Sequence, residues 1–427
     1  MFRAIARYGA RSVPNTTWTL AKTLAAGEAA SGSSIREFEE KFAAYQGVRH
    51  AIATSYGRMA FFYILRALEL PEGSEILFPA LTFWVVPEMA RVSGCRPVFV
   101  DIDPATYNID PSNIEPAVTE RTRAIVPTHL YGQPCDMDPL MEIARRHDLL
   151  VIEDCAHALG ATYRGAKAGT FGQAAFFSFQ LLKPLNTYGG GMATTHDDRL
   201  GRRIRELAET EPWPSTPEVL LKLLSGYLQR LFISPYGFTC GLFPALYIGS
   251  FFGHRDLTQY VWEKIRPLEP RPPSYHRRYA NAQAAVGLKA LAALDEHNAR
   301  SQAHARLLSE GLKDARSITP PVVLPEVSSV YYQYCVRASE PVTLSRRALR
   351  QGVDMEMMHV DVCNRLALFA PYASSCPVAE SMEGALQLPV YSGLRPGNVE
   401  RILQVIKEVS HDLPPLGEPA PAVGDLI

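Results

Sequence analysis

The stretch RAIVPTHLYGQPCDMDPLMEIARRHDLLVIEDCAHA, residues 123–158, reads as strand, amphipathic helix, strand. RAIVPTHLYG and LLVIEDCA are short runs rich in β-branched and aliphatic residues, and MDPLMEIARRHD between them has helical periodicity. A strand–helix–strand unit of this kind builds a parallel sheet. Working outward, the same alternation recurs. SIREFEEKFAAYQG (34–47) puts Ile35, Phe38, Phe42 and Tyr45 on one helical stripe, and Gly47 is a helix stop. HAIATS is a strand, 58–69 a helix, EILFPALTF a strand running into a turn, VVPEMARVSG a helix closing on Gly94, and RPVFVDID a strand. From about residue 50 to 200 the chain therefore predicts a mostly parallel sheet with helices on both faces.

After residue 206 the pattern changes. EPWPSTPEV is a Pro-rich break, and 236–253 contains no charged residue. A long helical pattern follows from Tyr279 to Leu312, and 330–412 reads as a small α+β lobe with YYQYCVRA as a strand. The expected organisation is an arm (1–33), a large domain (34–275) with an apolar insert at 211–272, an interdomain helix and small C-terminal domain (276–412), and a Pro-rich disordered tail (413–427).

Composition narrows the function. With 427 residues, 47% of them hydrophobic and 20% charged, the chain can bury a large core. Lys plus Arg (43) balances Asp plus Glu (44), which argues against a broad nucleic-acid surface. A mean hydropathy of −0.06 excludes a polytopic membrane protein. Seven cysteines show no metal-ligand spacing, so no metal site is expected and a reducing, cytoplasmic compartment is. The N-terminus lacks the apolar run of a secretory signal.

Four elements carry chemistry. LLVIEDCAHA ends a strand in Glu153, Asp154 and His157, where ligands collect in open parallel sheets. A carboxylate there can hold a cationic ring nitrogen; alone, it could as well be a helix cap. In AAFFSFQLLKPLNTYGGGM (174–192), Lys183 follows an apolar approach, and a lysine in an apolar pocket can act as a nucleophile that forms a Schiff base. A lysine snorkelling from a strand end is the plain alternative. In TSYGRMAFF, Gly57 at a helix start allows an anion to approach, with Ser55, Arg58 and Ser178 as further donors. Phe83 and Trp84, at a strand end, can stack on a planar ring or belong to the core. A phosphate cradle, an aromatic platform, a carboxylate and a Schiff-base lysine are the parts that pyridoxal 5′-phosphate requires.

The chain resembles the DegT/DnrJ/EryC1/StrS family of sugar aminotransferases, within the fold-type I pyridoxal-phosphate enzymes, over roughly 34–410. The resemblance rests on REFEEKFAAYQGVRHAIA, RPVFVDIDPATYNID, PTHLYGQPCDMDPL, VIEDCAHALGATYRG, FSFQLLKPL with the following GGGM, NAQAAVGL and LPVYSGL. It implies an aspartate-aminotransferase-like α/β large domain with a mostly parallel sheet, plus a smaller α+β C-terminal domain. It implies Lys183 as the aldimine lysine, Asp154 as the pyridinium partner and His157 near the ring. Gly57, Arg58 and Ser178 would surround the phosphate, with Trp84 or Phe83 on the ring. It further implies a homodimer with shared active sites, an amino donor such as glutamate or glutamine, and a keto-sugar acceptor, nucleotide-linked or lipid-linked. Lys183 itself favours transamination over the dehydration that relatives with histidine there perform.

Several positions depart from the family. Arg58 replaces a small hydroxyl residue and either pairs with phosphate or points away. Tyr188-Gly189-Gly190-Gly191 lacks the usual acidic residue, and Tyr188 becomes a substrate-contact candidate. His276 stands where a neighbouring subunit's asparagine usually reaches the phosphate; His359 is retained as a second substrate candidate. The insert at 211–272 is the largest departure. Within its apolar 219–253 stretch, the charge-free run from Tyr236 to Gly253 is too short and broken to span a bilayer. It either makes a peripheral contact with the inner face of a membrane, sheltering a lipid-linked substrate, or forms a dimer-interface hairpin or active-site lid. A dehydratase or other carbanion chemistry on an amphiphilic substrate, and a non-catalytic sensory relative, are the rival functions.

Overall fold

The computed structural model describes residues 3–11, 13, 15–251, 263–357 and 360–417. Its centre is a seven-stranded sheet built from β1 (His50–Thr54), β2 (Glu75–Pro79), β3 (Arg96–Val100), β4 (Thr122–Ile125), β5 (Leu150–Asp154), β6 (Ala174–Ser178) and β7 (Gly191–Thr195). The spatial order is β1-β7-β6-β5-β4-β2-β3. Every pairing is parallel except those of β7, which runs antiparallel to both neighbours. The carboxyl ends of β1, β5 and β6 therefore share one edge with the start of β7, where Gly191 pairs with both Thr54 and Ser178.

The sheet forms because its strands are apolar on both faces. β2 is wholly buried, as are the last four residues of β5. Helix α1 (Ser34–Gln46) ends, as the sequence suggests, at Gly47, whose φ of 78° suits a residue without Cβ. Helix α2 (Gly57–Leu68) buries nine of its residues, Met59, Phe61 and Ile64 among them, and packs on β6 and β7.

The C-terminal lobe holds an antiparallel sheet of Ile318–Thr319, Tyr334–Ala338, Leu386–Leu388 and Glu356–Met357, in that order. Helices Leu294–Leu312, Pro341–Arg350 and Pro396–Ser410 supply its core. The N-terminal arm joins this lobe: Ile5 pairs in parallel with Val353, and Arg7 donates to both oxygens of Asp354 at 2.7 Å, fully buried.

Two elements differ from the sequence reading. The helical pattern from Tyr279 is two helices, α4 (Asn281–Ala292) and α5 (Leu294–Leu312), because Ala293 leaves helical geometry at φ −100° and ψ 0°. The strand expected at Tyr331 begins at Tyr334, since Tyr331 has φ 46° and the preceding segment is tied to Gly132 and Tyr131. Of the tail, residues 418–427 lie outside the described residues.

Within the insert, the described residues from 216 to 249 are mostly helical. Helix α3 (Thr216–Phe232) starts with a capping box in which Ser215 and Glu218 bond reciprocally. A short helical segment, Pro235–Gly249, follows at a 62° bend. No single described helix is long and apolar enough to cross a membrane; the bent pair passes that test only when taken together.

Candidate active site

Asp154 ends β5 and is 3% exposed; its Oδ1 accepts from the Ala156 N–H at 3.0 Å. Burial pushes its carboxyl above the ordinary range, opposed by that N–H and by the charges of Lys183 and His129. Lys183 is half-buried and faces the same space. Burial lowers its ammonium to about 8; Asp154 pulls it back up and Arg58 pushes it further down. The two groups thus feel each other in a poorly solvated site.

The loop bearing Lys183 closes on itself. The Phe179 carbonyl accepts from the N–H groups of Thr187 and Gly189, and the Phe179 N–H donates to Gly190. From α4, the Gln283 amide donates to the carbonyls of Thr187 and Gly189 at 3.0 and 2.8 Å. Tyr279 adds a 2.7 Å bond to the Thr187 hydroxyl. Asn281 serves a different end, donating to the Glu28 carbonyl and anchoring the arm.

Gly57 opens α2 directly beside Ser178. A Cβ at Gly57 would stand 2.9 Å from the Phe177 carbonyl oxygen and 3.0 Å from the Ser178 Cβ. A Cβ at Gly191 would strike the Gly57 backbone. Only glycines allow three strand ends and a helix start to converge here. Ser55 points elsewhere, donating to the Tyr275 carbonyl.

Arg58 lies among aromatic rings, 5.2 Å from the Tyr275 centroid and 5.7 Å from those of Tyr56 and Phe83. Its guanidinium donates to Glu263 at 2.7 and 2.9 Å and to the Tyr275 hydroxyl. Glu263 belongs to the insert. Phe83 therefore borders the site, whereas Trp84 is 1% exposed in the main core, with its indole N–H unpartnered.

The structure sorts the remaining candidates. The His157 ring stacks on Tyr332 with centroids 4.2 Å apart, and Lys183 Nζ lies 4.7 Å from the same Tyr332 ring. His276 bonds Glu211 at 3.1 Å. Tyr188 packs in a small cluster with Val219 and Leu223 of α3, and Gly226 is the close approach that admits its ring. His359 lies outside the described residues.

His129, Glu153 and Cys155 bring metal-ligating atoms within 4.8 Å of one another. Their valences are taken: Glu153 accepts from the N–H groups of Gly169, Phe171 and Gly172 and from His129 Nε2, while His129 Nδ1 accepts from Cys135 N–H. The trio fastens the loop after β5.

Sequence reasoning missed three residues around the site: Tyr332, Glu263 and Lys222. Tyr332 was hidden in a run that reads as strand. The other two lie in the insert, where no local pattern signals a catalytic neighbour. Lys222, on α3, sits with Nζ 4.8 Å from the Tyr56 ring, and a Cβ at Gly189 would be 2.6 Å from its Cε.

Comparison with known proteins shows the family. The DegT/DnrJ/EryC1/StrS aminotransferase family matches residues 13–214 and 248–407, leaving all of α3 and most of the helical segment after the bend outside. The GDP-perosamine synthase of Caulobacter vibrioides is 34% identical over 386 residues, covering 88% of this chain and 90% of that protein. The UDP-N-acetyl-3-dehydro-alpha-D-glucosamine 3-aminotransferase of Acidithiobacillus ferrooxidans is 32% identical, covering 89% of each. The solved structure of S. venezuelae DesV superposes with a TM-score of 0.75 at 29% identity, over 94% of this chain and 95% of that one. The fold, the strand-end carboxylate with its neighbouring lysine, and these matches together place the chain in the DegT/DnrJ/EryC1/StrS aminotransferase family.

Proposed function

We propose that this protein transfers an amino group from glutamate or glutamine to a keto-sugar, using pyridoxal 5′-phosphate held by Lys183, Asp154, Gly57 and Ser178. The observation that carries the reading is the buried meeting of Asp154 and Lys183 beside the Gly57–Ser178 cradle. The names of the full-length relatives supply the sugar class.

The residues suit the cofactor. Gly57 lets the start of α2, with its N–H groups, pack against Ser178 where a Cβ would clash; Asp154 is a buried acceptor for a ring N–H, and Phe83 and His157 offer ring faces. When bound, pyridoxal phosphate supplies an electron sink for charge developing at the carbon that loses a proton. Asp154 keeps the ring nitrogen protonated. Lys183, with a lowered pKa, takes a proton from the amino-acid Cα as a general base and returns it as a general acid. Trp84, in the core, supports this wall rather than stacking on the ring.

The proposal includes a homodimer in which His276 acts across the interface, and a peripheral contact between the insert and a lipid surface at the inner face of the membrane. Leu220, Leu221, Leu224, Leu228, Leu231 and Phe232 stand exposed along α3, and Pro235–Gly249 carries no charge. All seven cysteines are free thiols, which suits the cytoplasm. Flotation with anionic vesicles tests the lipid contact; a protein that stays at the bottom, or that only self-associates, contradicts it.

Product analysis with amino-nitrogen-labelled donor tests the reaction. Label in the sugar product is expected. A dehydrated product without label would establish the dehydratase instead.

A further inference from the structure

We propose that Lys222, carried into the active site by the inserted helix, binds a phosphate group there. Helix α3 has two faces. Its outer face is exposed and apolar, while Val219, Leu223 and Gly226 turn inward against Tyr188 and the glycine-rich loop. Lys222 lies on that inward side. Its stem passes over Gly189, whose φ of 117° already excludes a side chain, and its ammonium reaches the face of Tyr56, the residue before Gly57.

The ammonium has a site but no counter-ion. Among the described residues it makes no hydrogen bond or ion pair, and its neighbours are a tyrosine ring and backbone. The other cation at this end of α2, Arg58, is already neutralised by Glu263. A half-buried cation without a counter-charge is costly, and burial lowers Lys222 to about 8. An incoming dianion offsets that cost and adds a charge-assisted hydrogen bond. The ligand chemistry is therefore a phosphate beside the start of α2, from either of two sources: the cofactor's phosphate, or the diphosphate that links the keto-sugar to its carrier. The identification of those sources rests on the aminotransferase reading; anion binding by Lys222 does not.

The test uses the full-length protein with Lys222→Met, which keeps the stem, and Lys222→Arg, which keeps the charge. Pyridoxal 5′-phosphate is titrated into cofactor-free protein, and inorganic pyrophosphate into cofactor-loaded protein, by calorimetry. Lys222→Met is expected to weaken at least one affinity by about tenfold or more, with Lys222→Arg retaining most of it. Loss confined to the first titration assigns the cofactor's phosphate; loss confined to the second assigns the carrier's. Both affinities within about twofold of wild type, in a variant with unchanged melting, would overturn the inference. A second measurement needs no variant. Acetylation of Lys222 in the wild-type protein, followed by mass spectrometry, is expected to slow when either anion is added at constant ionic strength; an unchanged rate with both would refute phosphate binding. A protein that passes these tests yet transfers no labelled nitrogen keeps this inference and loses the aminotransferase reading.

Discussion

The floor of the active site and the insert above it are built on opposite terms. The floor consists of strand ends and glycine turns. Asp154, Ser178, Gly57 and Gly191 converge because the parallel strands and the one reversed strand share an edge, and each contact is closed by backbone or glycine. The insert consists of side chains. Lys222 and Glu263 reach the site across its mouth, while the outer leucines of α3 are exposed. The floor fixes what reaction is possible. The insert adds Lys222 and Glu263 beside the site and presents an apolar outer face.

This contrast can be broken at its strong end first. Lys183→Ala is expected to reduce turnover by at least about 10⁴-fold, since nucleophile and proton carrier are lost together. Rates are read under saturating cofactor and both substrates, with melting as the fold control. Asp154→Ala is expected to cost about 10²–10³-fold, the range for removing one preorganised electrostatic partner. If either variant stayed within tenfold of wild type, the floor would not be the catalytic region.

The pH response separates the two regions more finely. Lys183 must be neutral to capture a carbonyl, so cofactor capture by the cofactor-free protein should rise with pH through about 8 and level off above it. Asp154→Asn removes a charge that raises Lys183, so the midpoint should fall. Arg58→Ala removes a charge that lowers it, so the midpoint should rise. Stopped-flow capture rates against pH check all three directions.

Gly189→Ala probes the joint between floor and insert. The residue has φ 117°, and its new Cβ would press on the Lys222 stem. A loss of about 1–3 kcal/mol is expected in denaturant unfolding. Lys222→Ala in the same background should recover part of it, since only the steric share depends on the lysine. The smallest effect on chemistry belongs to the outer face. Leu221→Asp with Leu228→Asp should abolish vesicle flotation while leaving turnover of a water-soluble keto-sugar within about twofold.

How much was legible follows the same division. The strand–helix alternation from 50 to 200 and the stop at Gly47 could be read because each is encoded within a few residues of itself; the meeting of Asp154 and Lys183, far apart in sequence, was expected only from the resemblance. The break at Ala293 could not, because an Ala–Leu sequence has no helix-breaking signal and tertiary contacts decide it. Trp84 and Phe83 are adjacent and chemically alike; only the packed core shows that the first is enclosed and the second faces Arg58. The direction of Arg58 depended on Glu263, and the environment of Gly189 on Lys222; both are distant in sequence from the residues they meet, and Lys222 lies between residues 214 and 248, which the family match leaves out. The metal-like trio at His129 was invisible as a pattern and is, in the fold, a closed hydrogen-bond network.

The most direct test of the central claim is the visible absorbance of purified, cofactor-loaded protein before and after adding glutamate or glutamine, with Lys183→Ala alongside. The band of lysine-bound pyridoxal phosphate should be present in wild type, absent in Lys183→Ala, and lost from wild type when the donor is added. A wild-type spectrum that resembles Lys183→Ala, or that no amino donor changes, would contradict the account.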